Sequence, residues 1–117
     1  MRIIQRKELK TKLDRGDDFK LIMTLNEWAF RTKHIPGSIH LTSQAQAAAL
    51  LHPNDEIIVY CTNPACSASI IAYEALRAQG FANIARYAGG IEDWEAAGYP
   101  LAGDTIENGL NKSPMET

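Results

Sequence analysis

One stretch constrains the fold more than any other: Glu56-Ile57-Ile58-Val59-Tyr60 running directly into Cys61-Thr62-Asn63-Pro64-Ala65-Cys66-Ser67-Ala68-Ser69. A short apolar run rich in Ile and Val predicts a strand buried on both faces, as in a parallel sheet. Beyond the loop, Ala72, Ala75, Leu76 and Gln79 follow helical spacing until Gly80 stops the helix. Cys61 therefore sits where a strand ends and a short loop turns into a helix N-terminus.

That position has a chemical meaning. Open α/β sheets bind ligands outside the carboxyl ends of their strands. Helix N-termini present unpaired N–H groups and the positive end of a dipole, which favour anions. Both features stabilise a thiolate, so a thiol at this junction is expected to be acidic and nucleophilic. A cysteine at a strand end can also serve only as a small hydrophobe in the core.

The rest of the chain alternates in the same manner. Arg2-Ile3-Ile4 reads as an edge strand, and Lys7 to Arg15 as a charged helix with Leu9 and Leu13 on one face, ended by Gly16. Phe19 to Thr24 reads as a strand, and Glu27-Trp28-Ala29-Phe30 as a helical turn burying Trp28 and Phe30. His34-Ile35-Pro36-Gly37-Ser38-Ile39-His40-Leu41 is a turn feeding a short strand. Thr42 to Leu51 is Ala-rich and helical, with Thr42 or Ser43 able to cap it. Phe81 to Tyr87 is a further strand, Ala88-Gly89-Gly90 a tight turn, and Ile91 to Ala97 a short helix carrying Trp94. Residues 102–117 are polar, with Gly, Pro and Asn, and read as a loose tail after a domain spanning 1–101. Strands alternating with helices predict an α/β fold with a parallel sheet covered on both faces.

With 117 residues the chain makes one domain with a single core. A formal charge of -2 points to neither nucleic acid nor membrane partners. No apolar stretch approaches a membrane span, and Met1 to Lys7 lacks the apolar core of a signal peptide. A cytoplasmic location follows as the expectation, with the two cysteines as reduced thiols rather than a structural disulfide.

Three stretches together resemble the rhodanese-like sulfurtransferase family. His34-Ile35-Pro36-Gly37-Ser38 resembles its H-I-P-G-A turn, and Val59-Tyr60-Cys61 its strand ending in the nucleophile. Gly89-Gly90-Ile91-Glu92-Asp93-Trp94 with Gly98-Tyr99-Pro100 resembles its G-G-x-x-x-W and G-x-P signature. The resemblance covers residues 2–101 in order and spacing. It implies a three-layer sandwich, a five-stranded parallel sheet with helices on both faces. It also implies that Cys61 is the nucleophile, which takes a sulfane sulfur as a persulfide and passes it to an acceptor. Thr62, Asn63, Pro64, Ala65, Cys66 and Ser67 would then form the substrate-binding loop, their backbone N–H groups facing the sulfur. No cofactor and no metal is implied. The expected partners are a small sulfur-containing donor or a persulfide-bearing protein, and an acceptor thiol or cyanide.

The loop length resembles that of sulfur-transferring members. Phosphatases of the same fold have a longer loop ending in an Arg that clamps phosphate, and no Arg stands here. The chain also departs from the family pattern. Met23-Thr24-Leu25 stands where many members read D-V-R, and Cys66 where many carry a loop Arg. With only backbone dipoles to hold a dianion, thiosulfate is expected to be a poor donor and a persulfide or polysulfide a better one. Cys66 is close enough in sequence to bridge to Cys61, resolve its persulfide, or shield it from over-oxidation. Two other classes stay open: a non-catalytic binding or regulatory module, and a thiol redox protein using both cysteines. His34 is expected to pack or cap within its turn, His40 and His52 to face solvent, and Trp28 and Trp94 to anchor the core.

Overall fold

The computed structural model describes residues 1–41 and 44–103, without the side chains of Gln44, Ala45 and Ala48. Its five strands are β1 (Ile3–Ile4), β2 (Lys20–Met23), β3 (Ile39–His40), β4 (Ile57–Tyr60) and β5 (Ile84–Tyr87). They form one sheet in the order β1-β5-β4-β2-β3, with every pair parallel. The helices between them are α1 (Arg6–Arg15), α2 (Glu27–Thr32), α3 (Gln44–Leu50), α4 (Ala68–Ala78) and α5 (Gly90–Ala96). The apolar run expected to be central is central: β4 lies between β5 and β2, and all four of its residues are buried.

Alternation along each strand divides the core into two layers. Ile58 and Tyr60 of β4 join Leu21, Met23, Ala85 and Tyr87 on the face covered by Leu9, Ile91 and Trp94. Ile57 and Val59 face the other way, with Ile22 and Ile84, against Ala47, Tyr73 and Leu76. Thus α1, α2 and α5 cover one face and α3 and α4 the other. Gly16 ends α1 in the left-handed conformation (φ 72°), as its sequence position predicts.

Trp28 does not anchor the core; it is 75% exposed. Positions two apart on a helix point about 200° apart, so Trp28 and Phe30 cannot share a buried face. Phe30 takes that face, together with Ala29. His40 does not face open water, because its Nε2 donates to the Leu25 carbonyl at 2.6 Å and its ring stacks on Phe30. His52 is exposed and His34 packs on Phe30, as the sequence suggested. The expected caps Thr42 and Ser43 lie outside the described residues, as do residues 104–117 of the C-terminal segment. Ala102 exchanges two backbone hydrogen bonds of 2.9 Å with His34.

Candidate active site

The site forms at the carboxyl end of β4, where Cys61 ends the strand and the loop from Thr62 to Ser67 leads into α4. Neighbouring elements hold it from three sides. Thr24, just past β2, donates both its N–H and its hydroxyl to the Tyr60 carbonyl at 3.1 Å. From the opposite side, the start of α5 binds the loop, with Ile91 N–H on the Cys61 carbonyl (2.9 Å) and Glu92 N–H on that of Thr62 (3.0 Å). Gly90 makes this approach possible. Its φ is +71°, and a Cβ there would stand 2.6 Å from Cys61 O and Thr62 O.

Tyr60 provides the third anchor, to the His34-Ile35-Pro36-Gly37-Ser38 turn. Its hydroxyl accepts the Ile35 N–H (3.0 Å) and donates to Ser38 Oγ (2.8 Å), while Ser38 Oγ donates to Ile35 O (2.6 Å). Burial pushes the Tyr60 hydroxyl up to about 12, against the opposing pull of Ser38 and Ile35. The native state then keeps this proton to higher pH than the unfolded chain. The resulting stability is complete below pH 10 and is lost as pH rises from 10 to about 12. Tyr60→Phe should cost about 2 kcal/mol at neutral pH through the lost hydrogen bonds. It should also flatten the alkaline decline in urea titrations. An equally steep decline in the variant would place its origin elsewhere.

The loop itself differs from two independent thiols, for Cys61 and Cys66 are joined by a disulfide, with their Cα atoms 6.5 Å apart. Cys61 is 1% exposed, whereas Cys66 is partly exposed. Asn63 organises the turn between them: its side chain accepts the Ala65 N–H (3.0 Å) and its carbonyl the Cys66 N–H (3.1 Å). Pro64 and Ala65 are exposed at the tip, and Pro64 has no N–H to give. The N–H groups of Thr62, Asn63 and Ser67 meet no acceptor among the described residues. Ser67 is the N-cap of α4 but makes no side-chain cap, so the first turn of that helix stays open.

Sequence reasoning found no cation for this site, and the structure supplies one. Arg86, in β5, is 7% exposed and lies on the α4 face of the sheet. Its Nε donates to Ser69 Oγ (2.8 Å), and its Nη2 donates to Pro64 O (3.2 Å) and Cys66 O (3.4 Å). The guanidinium thus neutralises two inward-facing carbonyls, one of them 3.6 Å from Cys61 Sγ. The available signal was a single charged residue inside an apolar strand, which must find partners when buried. Its contact with the loop needs the β4–β5 pairing and could not be read from spacing.

Beside Thr62 a cleft of about 300 Å³ opens between α2 and α5, lined by Met23, Leu25, Trp28, Ala29, Ile91 and Glu92. A Lys33–Glu95 ion pair of 2.7 Å closes its rim. The exposed Trp28 ring is part of this apolar wall. On the far side of α5, Trp94 anchors the core, its Nε1 donating to Pro100 O (2.7 Å), while Tyr87 donates to Asp93 (2.6 Å). These contacts account for the W and G-x-P elements as supports of the helix that holds the loop. Among the described residues, no three His, Cys, Asp or Glu cluster to hold a metal ion, and no helix is long and apolar enough to cross a membrane.

Comparison with known structures matches this architecture. A Bacillus halodurans protein superposes with a TM-score of 0.81 at 22% identity, over 87% of this chain and 77% of that one. The rhodanese-like domain of an Anabaena protein gives 0.81 at 23% identity, covering 100% of this chain and 87% of its own. A Pseudomonas aeruginosa thiosulfate sulfurtransferase gives 0.75 at 22% identity, over 88% of this chain but 20% of that longer one. Among curated proteins none matches. The family model for the rhodanese-like domain aligns with residues 5–97, so that the strand, the loop and the α5 clasp all lie within it, and the chain belongs to the rhodanese-like domain family.

Proposed function

We propose that the protein is a sulfurtransferase in which reduced Cys61 attacks a sulfane sulfur and carries it as a persulfide to a thiol or cyanide acceptor. The observation that supports this most is the placement of Cys61, at the end of the central strand and before the uncapped α4 N-terminus, with buried Arg86 behind its loop. Helix dipole, open N–H groups and guanidinium all favour negative charge on that sulfur. Arg86 spends its donors on the loop and Ser69 rather than on a substrate clamp. Persulfides and polysulfides are therefore favoured over the thiosulfate dianion as donors. A cytoplasmic location, where thiols keep Cys61 reduced, fits this chemistry.

The test is intact mass of the reduced Cys66→Ser protein, in which Cys61 is the sole thiol, before and after polysulfide. A gain of about 32 Da, absent when Cys61 is also serine, is the expected result. No gain with polysulfide or thiosulfate sinks the reading. The Cys61–Cys66 disulfide favours a second reading, a thiol–disulfide oxidoreductase. That protein would oxidise dithiol substrates or reduce disulfide substrates in turnover without ever carrying a sulfane sulfur.

A further inference from the structure

We infer that Cys66 is a resolving thiol that converts sulfur transfer into sulfide release, with the Cys61–Cys66 disulfide as an obligatory intermediate. The inference rests on the proposed sulfur-transfer reading and extends it to the fate of the sulfur.

The two cysteines are not equivalent. Cys61 is buried at the strand end, while Cys66 is partly exposed at the start of the helix. The loop already has the shape that brings one sulfur onto the other: the Asn63 turn folds it back, and Arg86 grips the carbonyls of Pro64 and Cys66. The Cα separation of 6.5 Å lies within the ordinary range for a disulfide. A persulfide formed on Cys61 therefore has a nucleophile built in beside it.

The chemistry balances in three steps. Cys61 thiolate attacks the outer sulfur of a persulfide R–S–SH; the donor's S–S bond breaks, R–S⁻ leaves with its electron pair and takes up a proton to become a thiol, and Cys61–S–SH forms. Cys66 thiolate then attacks Cys61 Sγ, the Cys61–S–S–Cys66 bond forms, and hydrosulfide leaves with the electron pair of the broken S–S bond. Finally an external dithiol reduces the disulfide. Its first sulfur attacks Cys66 Sγ, the accessible end, and Cys61 departs as a thiolate into the site that favours that charge. Its second sulfur then frees Cys66 and closes the reductant's own disulfide. Overall, a persulfide and a dithiol give a thiol, hydrogen sulfide and a disulfide. Thiol exchange is fastest when the better-stabilised thiolate is the leaving group, and here burial and electrostatics select the same direction.

The experiment is a single turnover. Wild type, Cys66→Ser and Cys66→Ala are fully reduced, freed of reductant, and mixed with glutathione persulfide; released sulfide, intact mass and free thiols are followed together. Wild type should release one sulfide per chain and lose both thiols with no mass gain. Both Cys66 variants should hold the added sulfur and release sulfide at least about tenfold more slowly. Wild type that retains the added sulfur with Cys66 still alkylatable overturns the resolving role and leaves sulfur transfer standing. If neither Cys66 variant gains sulfur, the sulfur-transfer reading falls, and this inference falls with it.

Discussion

Gly90→Ala is expected to lower stability by about 4 kcal/mol, a large share of the 5–15 kcal/mol typical of a domain. Two effects add. A positive φ of 71° costs a non-glycine residue roughly 1 kcal/mol. The new Cβ would also stand 2.6 Å from Cys61 O, Thr62 C and Thr62 O, which are backbone atoms and cannot rotate aside. Relief requires α5 to retreat, breaking the Ile91 and Glu92 hydrogen bonds to the loop and leaving buried carbonyls unpaired at about 1–3 kcal/mol each. Gly98→Ala is the internal control. It has a similar φ of 77° with nothing within 4 Å of its Cβ, so it should cost only the strain, about 1 kcal/mol. Urea unfolding of the two variants separates close approach from backbone strain, and equal losses would remove the close approach as the reason for Gly90. Because the displaced atoms are those of Cys61 and Thr62, Gly90→Ala should also slow the proposed sulfur loading in protein that is still folded.

Replacement of Arg86 by leucine is the second large effect. It removes three hydrogen bonds from a charged donor, and it leaves Ser69 Oγ and the loop carbonyls without their partner. At roughly 1.5–3 kcal/mol for a hydrogen bond to a charged group, partly regained by water at the exposed loop, the net loss is about 3 kcal/mol. Arg86→Lys should recover little, since an ammonium cannot reproduce the fork that reaches Ser69 and two carbonyls together. The functional readout is alkylation of Cys61 in reduced protein as a function of pH. Loss of the guanidinium should displace the profile toward higher pH and slow alkylation near neutrality, because negative charge on sulfur loses its buried counter-charge. A profile that matches wild type while stability falls would make Arg86 a purely structural tie.

Much of this was legible in the chain because it depends on neighbours in sequence. The period of the apolar residues, the Ile57–Tyr60 run and the glycine stops were enough for the strand–helix alternation, and with it the sheet class. The position of Cys61 at a strand–loop–helix junction followed from the same local signals, and motif resemblance added the family. Trp28 shows where such reading fails within one helix: two aromatic residues two apart invite burial together, and only the helical angle separates them.

What the tertiary structure decided is the environment of the sulfur. Arg86 lies twenty-five residues after Cys61 and meets the loop only because β5 pairs with β4 and turns that side chain toward α4. Gly90 and Ile91 close on Cys61 because α5 begins where β5 ends beside β4. The pairing of Cys66 with Cys61 depends on the loop turning back through Asn63, a geometry that sequence separation permits without requiring. Local periodicity determines elements, since it reports which face of each must leave water. Long-range contacts determine chemistry, since charges, carbonyls and thiols act only through the distances that sheet order and helix docking impose.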